Sequence, residues 1–177
     1  MAMQQTNWIV ITGAPCSGKT SVICALEKKG YSVVHEVARA LIDKALQQGL
    51  SLAEIKSDES AFEYRILEEK EKIEAGLSPT ALIFLDRAIP DSLAYFIHAG
   101  LDPDLPLKKS RLYHYKKIFL FERFRFKRDK VRIEDEIIAE KLDRLLWESY
   151  QLLKYDVIRV PVLPVAERTE YILSRIQ

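Results

Sequence analysis

The stretch Trp8-Ile9-Val10-Ile11-Thr12-Gly13-Ala14-Pro15-Cys16-Ser17-Gly18-Lys19-Thr20 decides how this chain folds. Residues 13–20 read GxxxxGKT, a phosphate-binding loop. Each residue type has a physical task there. Glycines let the backbone curl so that its N–H groups point inward at a polyphosphate. Lys19 can reach the β- and γ-phosphates, and the Thr20 hydroxyl can ligate Mg²⁺. The binding set expected is Gly13, Ala14, Pro15, Cys16, Ser17, Gly18, Lys19, Thr20 and Ser21. The pattern needs a strand before it and a helix after it. Trp8–Thr12 is an apolar, β-branched run that reads as a buried strand. Val22, Ile23 and Leu26 recur at helical spacing before Gly30, a helix stop. The helix adds the positive end of its dipole to the loop.

Working outward, strand and helix patterns alternate along the chain. Strands are expected at Ser32–Glu36, Ala81–Asp86, Lys116–Phe121 and Asp156–Pro161. Helices are expected at Val37–Gln48, Pro90–His98, Glu134–Lys154 and Glu167–Ile176. Ser51–Ala75 reads as one long amphipathic segment with Glu–Lys pairs at helical spacing. Asp102–Pro106 reads as a turn-rich link. Near-continuous apolar strands separated by helices imply a parallel sheet covered on both faces. With right-handed crossovers, this gives an α/β three-layer P-loop NTPase sandwich with a five-stranded parallel sheet, adenylate-kinase-like. Residues 1–177 read as a single nucleotide-binding domain, with a lid over 123–135.

The formal charge of +1 gives no chain-wide attraction to nucleic acid or membrane. The first residues lack the basic and apolar regions of a signal peptide, and no apolar run is long enough to span a bilayer. Cys16 and Cys24 make no disulfide framework. A cytoplasmic location is the expectation.

In such sheets ligands sit beyond the carboxyl ends of the strands, and the polar candidates fall there. Glu36 can take a proton from a substrate hydroxyl or hold Mg²⁺ through water; equally, it can be a carboxylate at a helix N-terminus. Arg39 can contact phosphate or pair with Glu36. Asp86 ends an apolar strand, where a charge is costly without a partner. It is the second expected metal-shell residue, with Thr20, and Arg87 can be its partner or hold a phosphoryl group. Asp91 reads first as a helix cap, then as a substrate contact. In the basic stretch Arg123–Arg132, Phe124 and Phe126 alternate with cations. That pattern suits single-stranded nucleic acid, a strand extension or a lid. Arg132 is the best single candidate for meeting a transferring phosphate. His35, His98 and His114 show no metal-ligand spacing.

Several segments then fall in a telling order: Thr12-Gly13-Ala14-Pro15, Val34-His35-Glu36-Val37-Ala38-Arg39, Asp86-Arg87-Ala88-Ile89-Pro90-Asp91 with Ala94-Tyr95, Asp129-Lys130-Val131-Arg132-Ile133-Glu134, and Val160-Pro161 ahead of Glu167-Arg168. Together they resemble the small AAA-labelled P-loop ATPase/kinase-like family related to the nicotinamide riboside kinase domain of the bacterial NAD regulator. The eukaryotic TRPL translocation defect protein has a related domain. The resemblance spans nearly the whole chain and implies an adenylate-kinase-like sheet that binds nucleotide. Ala88 and Lys130 stand where glycine is expected, and Lys130 would stiffen the lid.

The leading expectation is a small-molecule kinase that passes the γ-phosphoryl of ATP·Mg²⁺ to a nucleoside- or nucleotide-like acceptor. Its catalytic set is Lys19, Glu36, Asp86, Arg87 and Arg132. GTP is disfavoured, since no Asn-Lys-x-Asp tetrapeptide is present. The alternative is a nucleotide-dependent switch acting through a protein partner. Nucleic acid is a third reading, resting on the basic stretch alone.

Overall fold

A computed structural model describes residues 3–55, 57–123 and 133–176, the side chains of 133–135 excepted. The five-stranded parallel sheet has the order β3-β4-β2-β6-β7. Its strands are β2 (Trp8–Thr12), β3 (Ser32–Val34), β4 (Ile83–Asp86), β6 (Lys117–Phe121) and β7 (Val157–Val160). The phosphate-loop strand β2 is central, with Ile11 opposite both Asp86 and Phe119. This is the three-layer sandwich expected from the alternating pattern.

Alternation along each strand divides the core in two. Ile9, Ile11, Phe84, Phe119 and Phe121 face one side, where Val22, Ile23 and Leu26 of α1 (Lys19–Lys28) and Ile172 of α8 (Val165–Leu173) cover them. Trp8, Val10, Leu85, Ile118 and Leu120 face the other. There they meet Ala94 of α5 (Ile89–His98) and Leu145, Leu146 and Tyr150 of α7 (Ile133–Leu152). All five residues of β2 are buried, which is why that run lacks polar alternation.

Most boundaries move by one or two residues from the sequence reading, and three differences have clear causes. The 51–75 segment is two helices, α3 (Leu52–Ile55) and α4 (Glu59–Gly76). Asp58 stops continuity by capping α4, its carboxylate accepting from the Ala61 N–H at 2.8 Å. The turn-rich link contains a short helix, α6 (Asp104–Lys109). A two-stranded parallel sheet joins β1 (Gln4–Gln5) to β5 (Tyr113–His114); strands this short and polar carry no periodicity to read. The remaining helix, α2 (Val37–Gln47), follows β3. Both cysteines are free. Among the described residues no helix is long and apolar enough to cross a membrane.

Candidate active site

The phosphate loop is shaped by close approach to β6. Gly13 has φ +142°, and a Cβ there would lie 2.8 Å from the Phe121 carbonyl oxygen. No other residue fits without moving the central strands. Gly18, left-handed at φ 84°, turns the chain into α1, whose first turn carries no acidic residue. The positive end of that dipole is therefore not offset locally. Cys16 also has positive φ, at 60°. Behind the loop, Arg168 of α8 donates to the Ser17, Glu122 and Pro161 carbonyls, at 2.5, 3.0 and 2.8 Å. Its guanidinium lies over the Phe121 ring. Arg168 thus joins the loop to the ends of β6 and β7.

The Lys19 ammonium is folded into the loop. It donates to the Gly13 and Ala14 carbonyls and the Ser17 hydroxyl, at 2.9, 3.0 and 3.2 Å. Burial pushes its pKa down to about 7, Arg87 adds to the fall, and Asp86 opposes it. A polyphosphate in the loop would favour the charged form again.

Asp86, 1% exposed, ends β4 beside the loop. Its Oδ2 meets the Thr20 hydroxyl at a long 3.4 Å, and its Oδ1 has no partner among the described residues. Burial raises its pKa, with Lys19 pulling the other way. An orphaned buried carboxylate oxygen beside a threonine hydroxyl is a donor set that suits a hard cation such as Mg²⁺. The expected partner of Asp86 goes elsewhere. Arg87 takes φ +69°, which swings its side chain away. It donates from Nε to Glu36 at 3.0 Å and from Nη1 to Asp91 at 3.3 Å, and lies over the Tyr95 ring. Ala88, by contrast, is extended at φ −133°. The backbone there does not require the glycine expected after Asp-Arg.

Glu36 immediately precedes α2 but makes no capping bond with its side chain; the carboxylate is committed to Arg87. Burial pushes its pKa up, yet Arg87 and Lys19 outweigh that, and the carboxyl sits below its ordinary value. Arg39 is exposed and does not pair with Glu36. Asp91 is a fully buried hub. It accepts from Thr12, Tyr150, Arg87 and the Ala88 N–H. The Ala88 bond is the expected cap; the other three come from β2, from α7 and from the turn that precedes α5. Arg123 pairs with Glu140 of α7 at 3.4 Å. Arg132 and Lys130, with the rest of the expected lid over 124–132, lie outside the described residues.

Beside the Glu36–Arg87 pair opens a cavity of about 370 Å³ between α2, α4, α5 and α7. Phe62, Ile66 and Tyr95 supply apolar wall; Glu63, Lys70 and His98 supply polar wall. Lys70 is buried and donates to the Ala88 carbonyl and the Ser92 hydroxyl, at 3.0 and 3.1 Å. Burial lowers its pKa, with Asp91 opposing. The sequence reading missed Glu63 and Lys70. A signal was present: Glu63, Ile66, Leu67, Lys70 and Glu74 share the buried stripe of α4, so charges interrupt an apolar face at helical spacing.

The sequence matches the AAA domain family over residues 8–168, and the chain belongs to that family. No curated protein sequence matches it. Among solved structures, it is similar to a thymidylate kinase from Ehrlichia chaffeensis, with TM-score 0.67, 12% identity, and 98% of this chain and 100% of that one covered. It is similar to a deoxyadenosine kinase from M. mycoides solved with dCMP and dCDP, with TM-score 0.64, 16% identity, and 96% and 97% covered. A NadR protein in complex with NR gives TM-score 0.65 and 17% identity, with 96% of this chain and 50% of that one covered. These are likenesses of fold. The chain is an ATP-binding P-loop protein with the architecture of several small-molecule kinases.

Proposed function

We propose that this chain is a small-molecule kinase that transfers the γ-phosphoryl of ATP to an acceptor held between α2, α4, α5 and α7. One observation carries the reading. The 370 Å³ cavity shares Glu36 and Arg87 in its wall with the edge of the sheet that holds Lys19, Thr20 and Asp86. A protein that only hydrolyses nucleotide needs no such chamber beside its phosphate loop.

The residues then divide the work. The loop N–H groups and Lys19 bind the β- and γ-phosphates. The Thr20 hydroxyl and Asp86 would hold Mg²⁺, which when bound neutralises phosphate charge. Glu36, kept ionised by Arg87, accepts a hydrogen bond from the acceptor O–H and takes its proton. The acceptor oxygen forms a bond to the γ-phosphorus, the bond from that phosphorus to the β,γ-bridging oxygen breaks, and ADP leaves. Phosphoryl transfer is dominated by positioning and charge stabilisation, so a weakly basic Glu36 suffices. Arg87 stabilises charge on the moving group, and Arg132, in the lid proposed over 123–135, would add to that charge stabilisation.

The test is ATP turnover screened against nucleosides, nucleotides and vitamin-like alcohols. Acceptor-dependent ADP release with a phosphorylated product supports the kinase. ATP binding with slow hydrolysis that no acceptor changes overturns it and leaves a nucleotide switch. Arg132→Ala should depress turnover more than it weakens ATP affinity.

A further inference from the structure

Arg168 is 1% exposed, and it reaches the phosphate loop from 151 residues away. Its three guanidinium nitrogens each meet one main-chain carbonyl: Nη1 that of Ser17, Nη2 that of Glu122, Nε that of Pro161. Glu122 and Pro161 lie just past the ends of β6 and β7, so those two bonds join a helix to the sheet. The Ser17 bond is of another kind. Among the described residues, Arg168 is the one residue outside the loop and α1 that hydrogen-bonds to residues 14–18.

That stretch needs an anchor. Cys16 and Gly18, on either side of Ser17, are both left-handed, at φ 60° and 84°. Left-handed residues turn successive N–H groups to one side, where they form a concavity for an anion. The conformation is strained at Cys16, which has a Cβ, and converging N–H dipoles repel one another. Both effects favour relaxation of the loop out of its binding shape. Arg168 opposes that at one peptide unit. In a trans peptide the C=O and N–H point in opposite directions, and the described chain has no cis peptide bond. Holding the Ser17 carbonyl toward Arg168 therefore turns the Gly18 N–H away from it. That N–H has no acceptor among the described residues. A cation bonded to the carbonyl also polarises the unit and makes its N–H a stronger donor.

We propose that Arg168 is a positioning residue for polyphosphate binding: by holding the Ser17 carbonyl, it presents the Gly18 N–H to a phosphate oxygen and keeps the loop in its binding shape before nucleotide arrives. The inference rests on the loop's role in holding the phosphates of ATP and not on transfer to an acceptor. A loop already in shape loses little conformational freedom when phosphates bind. Lysine at this position would keep the charge but not the planar fork that reaches three carbonyls at once.

The experiment uses the full chain with Mg²⁺ and reads calorimetric affinity for ATP and for inorganic tripolyphosphate, which carries the phosphates alone. Two variants are compared. Arg168→Lys removes the fork. Ile172→Ala, one turn further along α8 at a fully buried position, loosens the same helix without touching the three carbonyls. Arg168→Lys should weaken both ligands by about tenfold, the size of one charge-assisted hydrogen bond. Ile172→Ala should stay within about twofold of wild type for both, even with the lower urea midpoint. Equal losses in the two variants overturn the inference, because a loosened α8 then accounts for the effect. A loss for ATP with tripolyphosphate unchanged also overturns it, since the effect then lies at the nucleoside. Wild-type affinities in Arg168→Lys do the same. If Arg168→Lys does not fold, the ¹⁵N-labelled wild-type chain decides. Tripolyphosphate should move the Gly18 amide proton downfield as it gains an acceptor, and an unmoved resonance overturns the inference. No acceptor is present in any of these measurements, so the kinase reading stands or falls separately.

Discussion

Asp86 and Asp91 lie at the two ends of one short turn, both buried, and their surroundings are opposite. Asp91 accepts from a threonine on β2, a tyrosine on α7, the arginine of the turn and a backbone N–H. Asp86 has one long contact, to Thr20, and an oxygen with no partner among the described residues. Their titration follows. Burial pushes both carboxyls up. For Asp91, Lys70 and Arg87 overcome it and the pKa falls; for Asp86 burial wins and the pKa rises. A buried carboxylate with every donor in place is a structural joint. One left partly unsatisfied keeps an oxygen free to coordinate a ligand.

The comparison breaks most visibly at Asp91. Asp91→Ala should cost about 3–5 kcal/mol of stability, read from the urea midpoint at neutral pH, because Arg87 is left buried with only Glu36 opposite it. Asp91→Asn should also flatten the acid limb of the stability profile. A depressed pKa contributes stability above the ordinary carboxyl range that is lost as pH falls. A wild-type midpoint in Asp91→Ala would end the idea of a structural joint.

Glu74 extends the comparison to the other sign. It accepts from the Tyr115 hydroxyl at 2.6 Å and the Ile89 N–H at 2.9 Å, and burial pushes its carboxyl up to about 7. Between the ordinary carboxyl value and about 7, the native state keeps a proton that the unfolded chain has lost. Stability should therefore fall as pH rises through that window, by up to about 3 kcal/mol. Glu74→Gln should remove the slope. Measuring denaturation midpoints of both proteins across that range checks it.

Tyr150→Phe removes one of the four donors to Asp91 and should cost about 1–3 kcal/mol, less than Asp91→Ala, by the same urea measurement. An equal cost would place the joint at Tyr150 rather than at the carboxylate.

Asp86→Asn sharpens the contrast by doing least to the fold. It removes a charge that burial already disfavours, so the midpoint should shift by no more than about 1 kcal/mol. Mg²⁺-dependent ATP turnover should nonetheless fall by about a hundredfold or more. Stability lost with turnover retained would reverse the roles assigned to the two aspartates.

The chemistry of the phosphate loop was legible in the sequence because it resides in consecutive residues. Gly13, Gly18, Lys19 and Thr20 act through local backbone conformation, and the apolar runs around β2, β4 and β6 report burial on both faces directly. The order of alternating strands and helices was enough for the parallel sandwich, and Asp86 stood out as a charge at the end of an apolar strand. Tertiary structure alone decided the rest. Arg87 turns from Asp86 toward Glu36 because of one left-handed residue. Asp91 became a hub because Thr12 and Tyr150 reach it from elements far apart in the chain. Glu63, Lys70 and Glu74 lay within a stretch whose Glu–Lys spacing suggests a solvated helix face. The fate of a charged side chain depends on donors and acceptors brought by other elements, and that pairing follows from three-dimensional packing rather than local sequence.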